Sequence, residues 1–205
     1  MNNLKKHKLY LIMGKSATGK DHIYKAVLAE LAGVLRPVVP YTTRPMREGE
    51  QNGVEYFFID EEKMKEFQMC GRIVEKRCYQ TVNGPWNYMT VDDGQIDLDR
   101  QDSILIATPE VYRSLRNYYG SENTVPIYVE SPDRERLARS LKREDKQEKP
   151  NYAEVCRRYL ADEADFSDKV LEELGITKRY VNIDFNACVE EIVAGIKRTG
   201  NEGLE

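Results

Sequence analysis

Seven residues near the start of the chain, 14–20, read GKSATGK and fit the pattern G-x-x-x-x-G-K. Glycines in this pattern let successive backbone N–H groups converge on phosphate oxygens, and a following helix presents its positive end to them. Lys20 would neutralise the charge of the β- and γ-phosphates. An ordinary glycine-containing turn is the alternative, but a predicted strand before the segment and a predicted helix after it favour a phosphate loop. The residues expected to contact the triphosphate are Gly14, Lys15, Ser16, Ala17, Thr18, Gly19, Lys20 and Asp21.

Asp21 stands directly after the lysine, at the position where serine or threonine normally binds Mg²⁺. An anion beside a triphosphate is unfavourable unless a cation lies between them. Because carboxylate oxygens are good ligands for Mg²⁺, we expect Asp21 to bind this ion directly or through water. The alternative is an acidic residue in the first turn of a helix, where the helix macrodipole favours negative charge.

A second segment, 42–56, reads TTRPMREGEQNGVEY and contains two arginines three residues apart. Arg44 and Arg47, with Pro45 between them and Tyr56 downstream, can together bind one phosphate group bidentately. Taken alone, the segment is equally well explained as a solvated charged loop. Together with the phosphate loop it indicates a second phosphate site.

Arginines recur along two predicted helices in the last third of the chain. They are Arg134, Arg136, Arg139, Arg143, Arg157 and Arg158. Phosphoryl transfer requires positioning and charge neutralisation, and mobile arginines that close over phosphates supply both while excluding water. The alternative is a solvent-exposed, salt-bridged helix, since Glu135, Glu144 and Asp145 are interspersed among them.

The hydrophobic pattern supplies the elements that must position these segments. Predicted strands cover 8–13, 38–41, 56–59, 72–79, 87–91, 103–107, 125–129 and 179–183, and Asn83-Gly84 is a predicted turn. After the phosphate loop a helix is predicted, with Ile23, Val27 and Leu31 on one face and Gly33 as its end. Further helices are predicted from about 109 to 118, 132 to 143, 152 to 164 and 188 to 196. Alternating strands and helices predict an α/β fold with a parallel central sheet flanked by helices.

The stretch from about 36 to 98 is rich in strands and does not fit that alternation. We therefore predict one domain over residues 1–205 with three parts. A core spans about 1–35, 99–130 and 166–205, a small strand-rich lobe spans about 36–98, and a helical lid spans about 131–165. By position, the lobe would carry the second phosphate site and the lid the mobile arginines.

Composition narrows the class of protein. The chain has 205 residues, 40% of them hydrophobic and 32% charged, as in a globular protein. A net charge of −4 argues against general nucleic-acid binding. The four cysteines are scattered and there are only two histidines, so neither a disulfide framework nor a metal cluster is expected. No signal segment and no apolar run of membrane length is found, so we predict a cytoplasmic protein.

The second segment resembles the guanylate kinase family, because it matches every fixed position of T-T-R-x-x-R-x-G-E-x-x-G-x-x-Y. The resemblance extends more weakly from Leu9 to about Ile196. It implies that Arg44, Arg47 and Tyr56 bind the phosphate of GMP and that Glu50 braces the arginines. It also implies that Glu75 accepts hydrogen bonds from guanine. Tyr88-Met89-Thr90 resembles the family's Tyr-Gly-Ser, which contacts phosphate and base.

The chain also departs from the family. Pro40 replaces a serine that contacts the base, and the strand end at 104–109 reads ILIATP where the family carries aspartates in I-L-D-I-D. We infer that Asp21 replaces the missing carboxylate. In the lid, Ser140 and Glu144 occupy the aligned arginine positions, while Arg139 and Arg143 keep the spacing offset by one. The sequence G-K-D at 19–21 is similar to ribose 1,5-bisphosphate kinases, which lack the full pattern of residues 42–56.

The resemblance therefore implies ATP-dependent phosphorylation of GMP to GDP, with ATP and Mg²⁺ bound and small molecules as the partners. Neither a nucleic acid nor a membrane is expected as a partner. The predicted catalytic residues are Lys20, Arg44, Arg139, Arg143 and Arg158, and the predicted GMP-binding residues are Arg44, Arg47, Glu50, Tyr56, Glu75, Tyr88 and Thr90. Two alternatives stay open, a kinase for another nucleoside monophosphate or ribose 1,5-bisphosphate, and a non-catalytic binding module.

Overall fold

A computed structural model describes residues 7–81 and 84–201. The strands are β1 (Leu9–Met13), β2 (Leu35–Pro37), β3 (Tyr41–Thr42), β4 (Phe57–Phe58), β5 (Ile73–Thr81), β6 (Gly84–Val91), β7 (Asp102–Ile106), β8 (Thr124–Glu130) and β9 (Arg179–Val181). The helices are α1 (Lys20–Glu30), α2 (Glu61–Met69), α3 (Pro109–Tyr119), α4 (Asp133–Glu144), α5 (Tyr152–Asp165), α6 (Asp168–Glu173) and α7 (Phe185–Asn201).

The central sheet has five parallel strands in the order β2-β7-β1-β8-β9. Strand β1 lies in the middle, and its five residues are all buried because helices cover both faces of the sheet. Ile23 of α1 and Ile192 of α7 pack on one face. Leu115 of α3 and Leu171 of α6 pack on the other. The predicted α/β fold with a parallel central sheet flanked by helices is confirmed.

A second, four-stranded sheet has the order β4-β3-β6-β5 and lies wholly between residues 41 and 91. Its long hairpin, β5 and β6, is antiparallel. The predicted turn at Asn83-Gly84 includes Asn83, which lies outside the described residues. Met64 and Phe67 of α2 pack against Met89 and Val91 of β6 and form a small core of their own.

The strand predicted at 38–41 is wrong in its placement. Strand β2 ends at Pro37 in the central sheet, and Tyr41 begins β3 in the second sheet. The three residues between them cross from one sheet to the other, so their backbone groups bond outside any ladder. Val38 N–H donates to the carbonyl of Ile104 at 2.9 Å, and Val39 N–H donates to the side chain of Gln95 at 2.8 Å.

Two helices were not predicted. In α2, only Met64 and Phe67 are buried, so its hydrophobic stripe is short, although Asp60 caps it by accepting from Lys63 N–H at 2.7 Å. Helix α6 has six residues, too few to show a helical period. Within residues 7–81 and 84–201, no helix combines the length and apolar character needed to cross a membrane.

Candidate active site

The phosphate loop joins the end of β1 to the start of α1, as predicted. Neither of its two glycines has room for a side chain. A Cβ on Gly14 would lie 2.5 Å from the carbonyl oxygen of Val129, and one on Gly19 would lie 2.6 Å from Nδ2 of Asn182. Gly19 also has a φ of +88°, in the left-handed region that glycine adopts without strain.

Thr18 anchors this loop to the ends of two other core strands. Its carbonyl accepts hydrogen bonds from Asn182 Nδ2 at 2.7 Å and from the Ser131 hydroxyl at 3.3 Å. The Thr18 hydroxyl donates to the carbonyl of Lys15 at 2.9 Å. Asn182 follows β9 and Ser131 follows β8, and sequence reasoning identified neither, because each contact joins residues more than a hundred positions apart in the chain.

Lys20 and Asp21 open the first helical turn after the loop. Lys20 Nζ lies 3.7 Å from Asp21 Oδ2, and the Asp21 side chain is 68% exposed. Among the described residues, no group of three or more His, Cys, Asp or Glu side chains could hold a metal ion. A single exposed carboxylate fits Mg²⁺, which takes its remaining ligands from phosphates and water.

Helix α5 brings two carboxylates onto the phosphate loop. Ser16 N–H donates to Asp162 Oδ2 at 2.7 Å, and Lys15 Nζ lies 2.8 Å from Glu163. Although burial opposes the shift, hydrogen bonds from Lys15 and Arg136 hold the pKa of Glu163 below its ordinary value. The Ser16 N–H that was expected to bind phosphate therefore already binds an anion from the predicted lid.

Arg136 lies buried between α5 and the phosphate loop, with a side chain 2% exposed. It lies 3.0 Å from Glu163 and 3.5 Å from Asp162, and it donates to the carbonyl of Ser16 at 3.2 Å. Sequence reasoning placed Arg136 on the arginine-rich helix without assigning it a role. Its helical neighbour Arg139 donates to the carbonyl of Ala17 at 3.3 Å.

The loop at 42–56 is organised by one carboxylate. Glu50 accepts from both terminal nitrogens of Arg44, at 2.9 and 2.7 Å, and from Arg47 N–H at 2.7 Å. The bond to Arg44 is the largest influence lowering the pKa of Glu50, to about 2. The Arg44 side chain is 3% exposed. Glu50 therefore braces Arg44 directly and the backbone of Arg47, which is the geometry that the resemblance implied.

Aromatic rings surround Arg44 and lead into a cleft. The Arg44 guanidinium lies 5.5 Å from the ring centre of Tyr56 and 5.4 Å from that of Phe58. Tyr88 packs edge-on against Tyr56 at 5.6 Å and against Tyr79 at the same distance. Burial, followed by the influence of Tyr88, raises the pKa of the Tyr56 phenol. Tyr56 is therefore a neutral hydrogen-bond donor at pH 7.

This cleft has a volume of about 350 Å³ and lies between the two sheets. Of the predicted site residues, it is lined by Gly14, Ser16, Lys20, Tyr56, Tyr88 and Thr90. Pro40 and Thr108, the two departures at the expected base position, also line it. Glu75 lies beneath the wall with a side chain 3% exposed. Its carboxylate accepts from the Thr90 hydroxyl at 2.9 Å.

A second cavity, of about 420 Å³, lies between the phosphate loop and the two arginine-rich helices. Arg47, Arg143 and Arg158 line it, and Ser16 lines both cavities. Glu154 accepts a hydrogen bond from Arg158 at 2.8 Å, and Arg157 and Arg158 together lower the pKa of Glu154 to about 2. The structure thus brings Arg47 towards the lid arginines rather than towards Tyr56.

Comparison with known proteins agrees with this arrangement. The sequence model of the guanylate kinase family matches residues 6–184. The chain belongs to the guanylate kinase family. A guanylate kinase from Symbiobacterium thermophilum is 35% identical over 144 residues, which are 69% of this chain and 64% of that protein. A guanylate kinase from Porphyromonas gingivalis is 26% identical over 191 residues, which are 90% of this chain and 94% of that protein.

The fold agrees as well. The crystal structure of a guanylate kinase from Anaplasma phagocytophilum superposes with a TM-score of 0.60 at 19% identity, covering 95% of this chain and 87% of the other. At 19% identity, this likeness shows only that the two proteins share a fold. The matched stretch spans 64% of the length of the Symbiobacterium relative, slightly less than two thirds. The roles of the individual site residues stay predictions.

Proposed function

We propose that the protein phosphorylates GMP to GDP with ATP as the donor. The observation that carries the proposal is that Lys20 of the phosphate loop and Tyr56 of the second segment line one cleft. A donor triphosphate on residues 14–20 and an acceptor phosphate near Tyr56 and Tyr88 would therefore share a continuous space. Family membership and the names of the relatives support the same reaction.

In this mechanism the protein positions charges and supplies no covalent partner. The N–H groups of the phosphate loop and Lys20 hold the β- and γ-phosphates of ATP. Arg44 and Tyr56 would fix the phosphate of GMP, joined by Arg47 when the lid closes. The oxygen of that phosphate is already anionic, so no general base is required. Arg139, Arg143 and Arg158 neutralise the transferred phosphoryl group when the lid, about 131–165, closes on the core. Rate enhancement then comes from orientation and preorganised electrostatics.

Asp21 would hold Mg²⁺, and the ion would neutralise phosphate charge there. The exposed carboxylate beside Lys20 is the oxygen ligand that suits this ion. We expect Asp21→Ala to raise the Mg²⁺ concentration needed for half-maximal rate and to lower kcat. Titration of the rate with Mg²⁺ measures both, and an unchanged Mg²⁺ dependence would remove the metal role from Asp21.

We further propose that the monophosphate site occupies the lobe at about 36–98 and that the protein works in the cytoplasm. The cysteines are free thiols, which suits a reducing compartment. The ligands of these cavities would be small molecules, ATP and GMP.

The experiment compares acceptors at fixed MgATP. Initial rates with GMP, dGMP, AMP, UMP, CMP and ribose 1,5-bisphosphate give kcat/KM for each. GMP should have the highest value. A clearly higher value for another acceptor would replace GMP with that compound. If MgATP fails to bind in calorimetry, a non-catalytic binding module is the better account.

A further inference from the structure

A second charged side chain, Arg77, reaches the wall of the acceptor cleft beside Glu75. Side chains alternate along a strand, so Glu75 and Arg77 of β5 project to the same face and Lys76 to the opposite one. The side chains of Glu75 and Arg77 are 3% and 18% exposed, whereas Lys76 is exposed. Arg77 lines the cleft. The spacing of these residues in the sequence was the signal that could have identified it.

The hydrogen bonds of this pair leave most of the guanidinium available. Arg77 Nε donates to Glu75 Oε2 at 3.1 Å, while the Thr90 hydroxyl donates to the other carboxylate oxygen at 2.9 Å. Nε is the one nitrogen of Arg77 with a hydrogen bond to any residue that the structure describes. A guanidinium carries five N–H donors in a planar fork. Its two terminal nitrogens can therefore serve a ligand in the cleft.

Other residues around Glu75 offer less to a ligand that accepts hydrogen bonds. Pro40 lines the cleft but has no side-chain donor. Thr108 also lines it, and its hydroxyl accepts from Val111 N–H at 3.3 Å as the cap of α3. A guanidinium fork thus lines this wall, and the carboxylate that it contacts lies directly beneath it. One accepts hydrogen bonds and the other donates them.

We propose that Arg77 determines base specificity by donating hydrogen bonds from its terminal nitrogens to O6 and N7 of guanine. Glu75 beside it accepts from N1–H and the 2-amino group. This inference rests on the proposed function, with GMP as the acceptor. Guanine presents two acceptors to an arginine fork, whereas adenine presents an amino donor at position 6, which cannot accept from a guanidinium. Arg77 thereby favours GMP over AMP.

The test measures kcat/KM for GMP, IMP and AMP with the wild type, Arg77→Ala, Arg77→Lys and the matched control Lys76→Ala. A good bidentate contact discriminates between bases by about 5- to 150-fold. Arg77→Ala should therefore lower the values for GMP and IMP by a factor in this range and leave AMP nearly unchanged. Arg77→Lys keeps a charge beside Glu75 without the planar fork, so it should lose most of the preference for GMP. The control should match the wild type.

Each other outcome overturns the inference. Equal losses for all three nucleotides would place Arg77 on the phosphate instead of the base. Wild-type specificity in Arg77→Lys would reduce its role to neutralising Glu75, and this variant decides the question if Arg77→Ala does not fold. Faster turnover of GMP in Arg77→Ala would mean that Arg77 obstructs the cleft. If the wild type uses GMP but the Arg77 variants do not change its base preference, only the role of Arg77 is refuted. If the wild type is inactive on GMP, the proposed function is refuted too.

Discussion

Replacing Glu50 with glutamine tests how one carboxylate holds the second phosphate-binding segment in place. Glu50 is 17% exposed and accepts three hydrogen bonds of 2.7–2.9 Å, two of them from Arg44, which is 3% exposed. A hydrogen bond to a charged group contributes about 1.5–3 kcal/mol, and glutamine retains one acceptor oxygen but no charge. We therefore expect Glu50→Gln to lower the free energy of unfolding by about 2 kcal/mol at pH 7.

The same substitution has a defined pH dependence. The hydrogen bond from Arg44 is the largest influence that lowers the pKa of Glu50, from 4.5 to about 2 in the folded protein. A carboxyl group with a lowered folded-state pKa stabilises the fold fully above its unfolded pKa and loses that contribution as the pH falls towards the folded value. The difference between wild type and Glu50→Gln should therefore be constant above about pH 5 and shrink between about pH 5 and 2.

Urea unfolding followed by circular dichroism at pH 7, 5, 4 and 3 measures these free energies. Glu48→Gln, an exposed position in the same loop, is the matched control and should unfold like the wild type. Two results would disprove this role of Glu50. One is equal stability of the Glu50 and Glu48 variants at pH 7, and the other is a stability difference that does not decrease at pH 3.

Three further predictions concern the phosphate loop. Asp162→Asn should tighten MgATP binding about 3- to 10-fold in calorimetry, because a neutral oxygen competes less well than a carboxylate for the Ser16 N–H. Weaker binding would show that Asp162 does not compete with ATP. Ala17 has a φ of +62°, so Ala17→Gly should raise the free energy of unfolding by about 1 kcal/mol, and a loss in urea unfolding would contradict the strain. Asn182→Ala leaves the buried carbonyl of Thr18 with one hydrogen bond fewer and should cost about 1–3 kcal/mol, whereas no loss would mean that the anchor is dispensable.

Patterns confined to a short stretch of sequence allowed the central features to be predicted. The glycines and Lys20 of the phosphate loop follow one another, and the loop joins β1 to α1 as expected. Arg44, Arg47 and Glu50 lie within seven residues, and the same loop brings them together. These predictions needed only local geometry and the alternation of strands and helices, which also indicated the parallel sheet.

Contacts between distant segments could not be predicted in this way. The bond between Ser16 and Asp162 joins residues 146 positions apart, so its carboxylate resembled any other on a charged helix. The role of Arg136 could not be predicted for the same reason, because its side chain is buried by contacts with segments that are distant in the sequence. The strand at 38–41 was misplaced because a run of apolar residues indicates burial without showing which sheet the chain joins.

The proposed transfer of a phosphoryl group from ATP to GMP within one cleft can be measured directly. Phosphorus-31 nuclear magnetic resonance of the protein with MgATP and GMP measures donor loss and product formation together. We expect ADP and GDP in equal amounts with the wild type and neither with Lys20→Ala. Loss of ATP without GDP, or equal activity in Lys20→Ala, would contradict it.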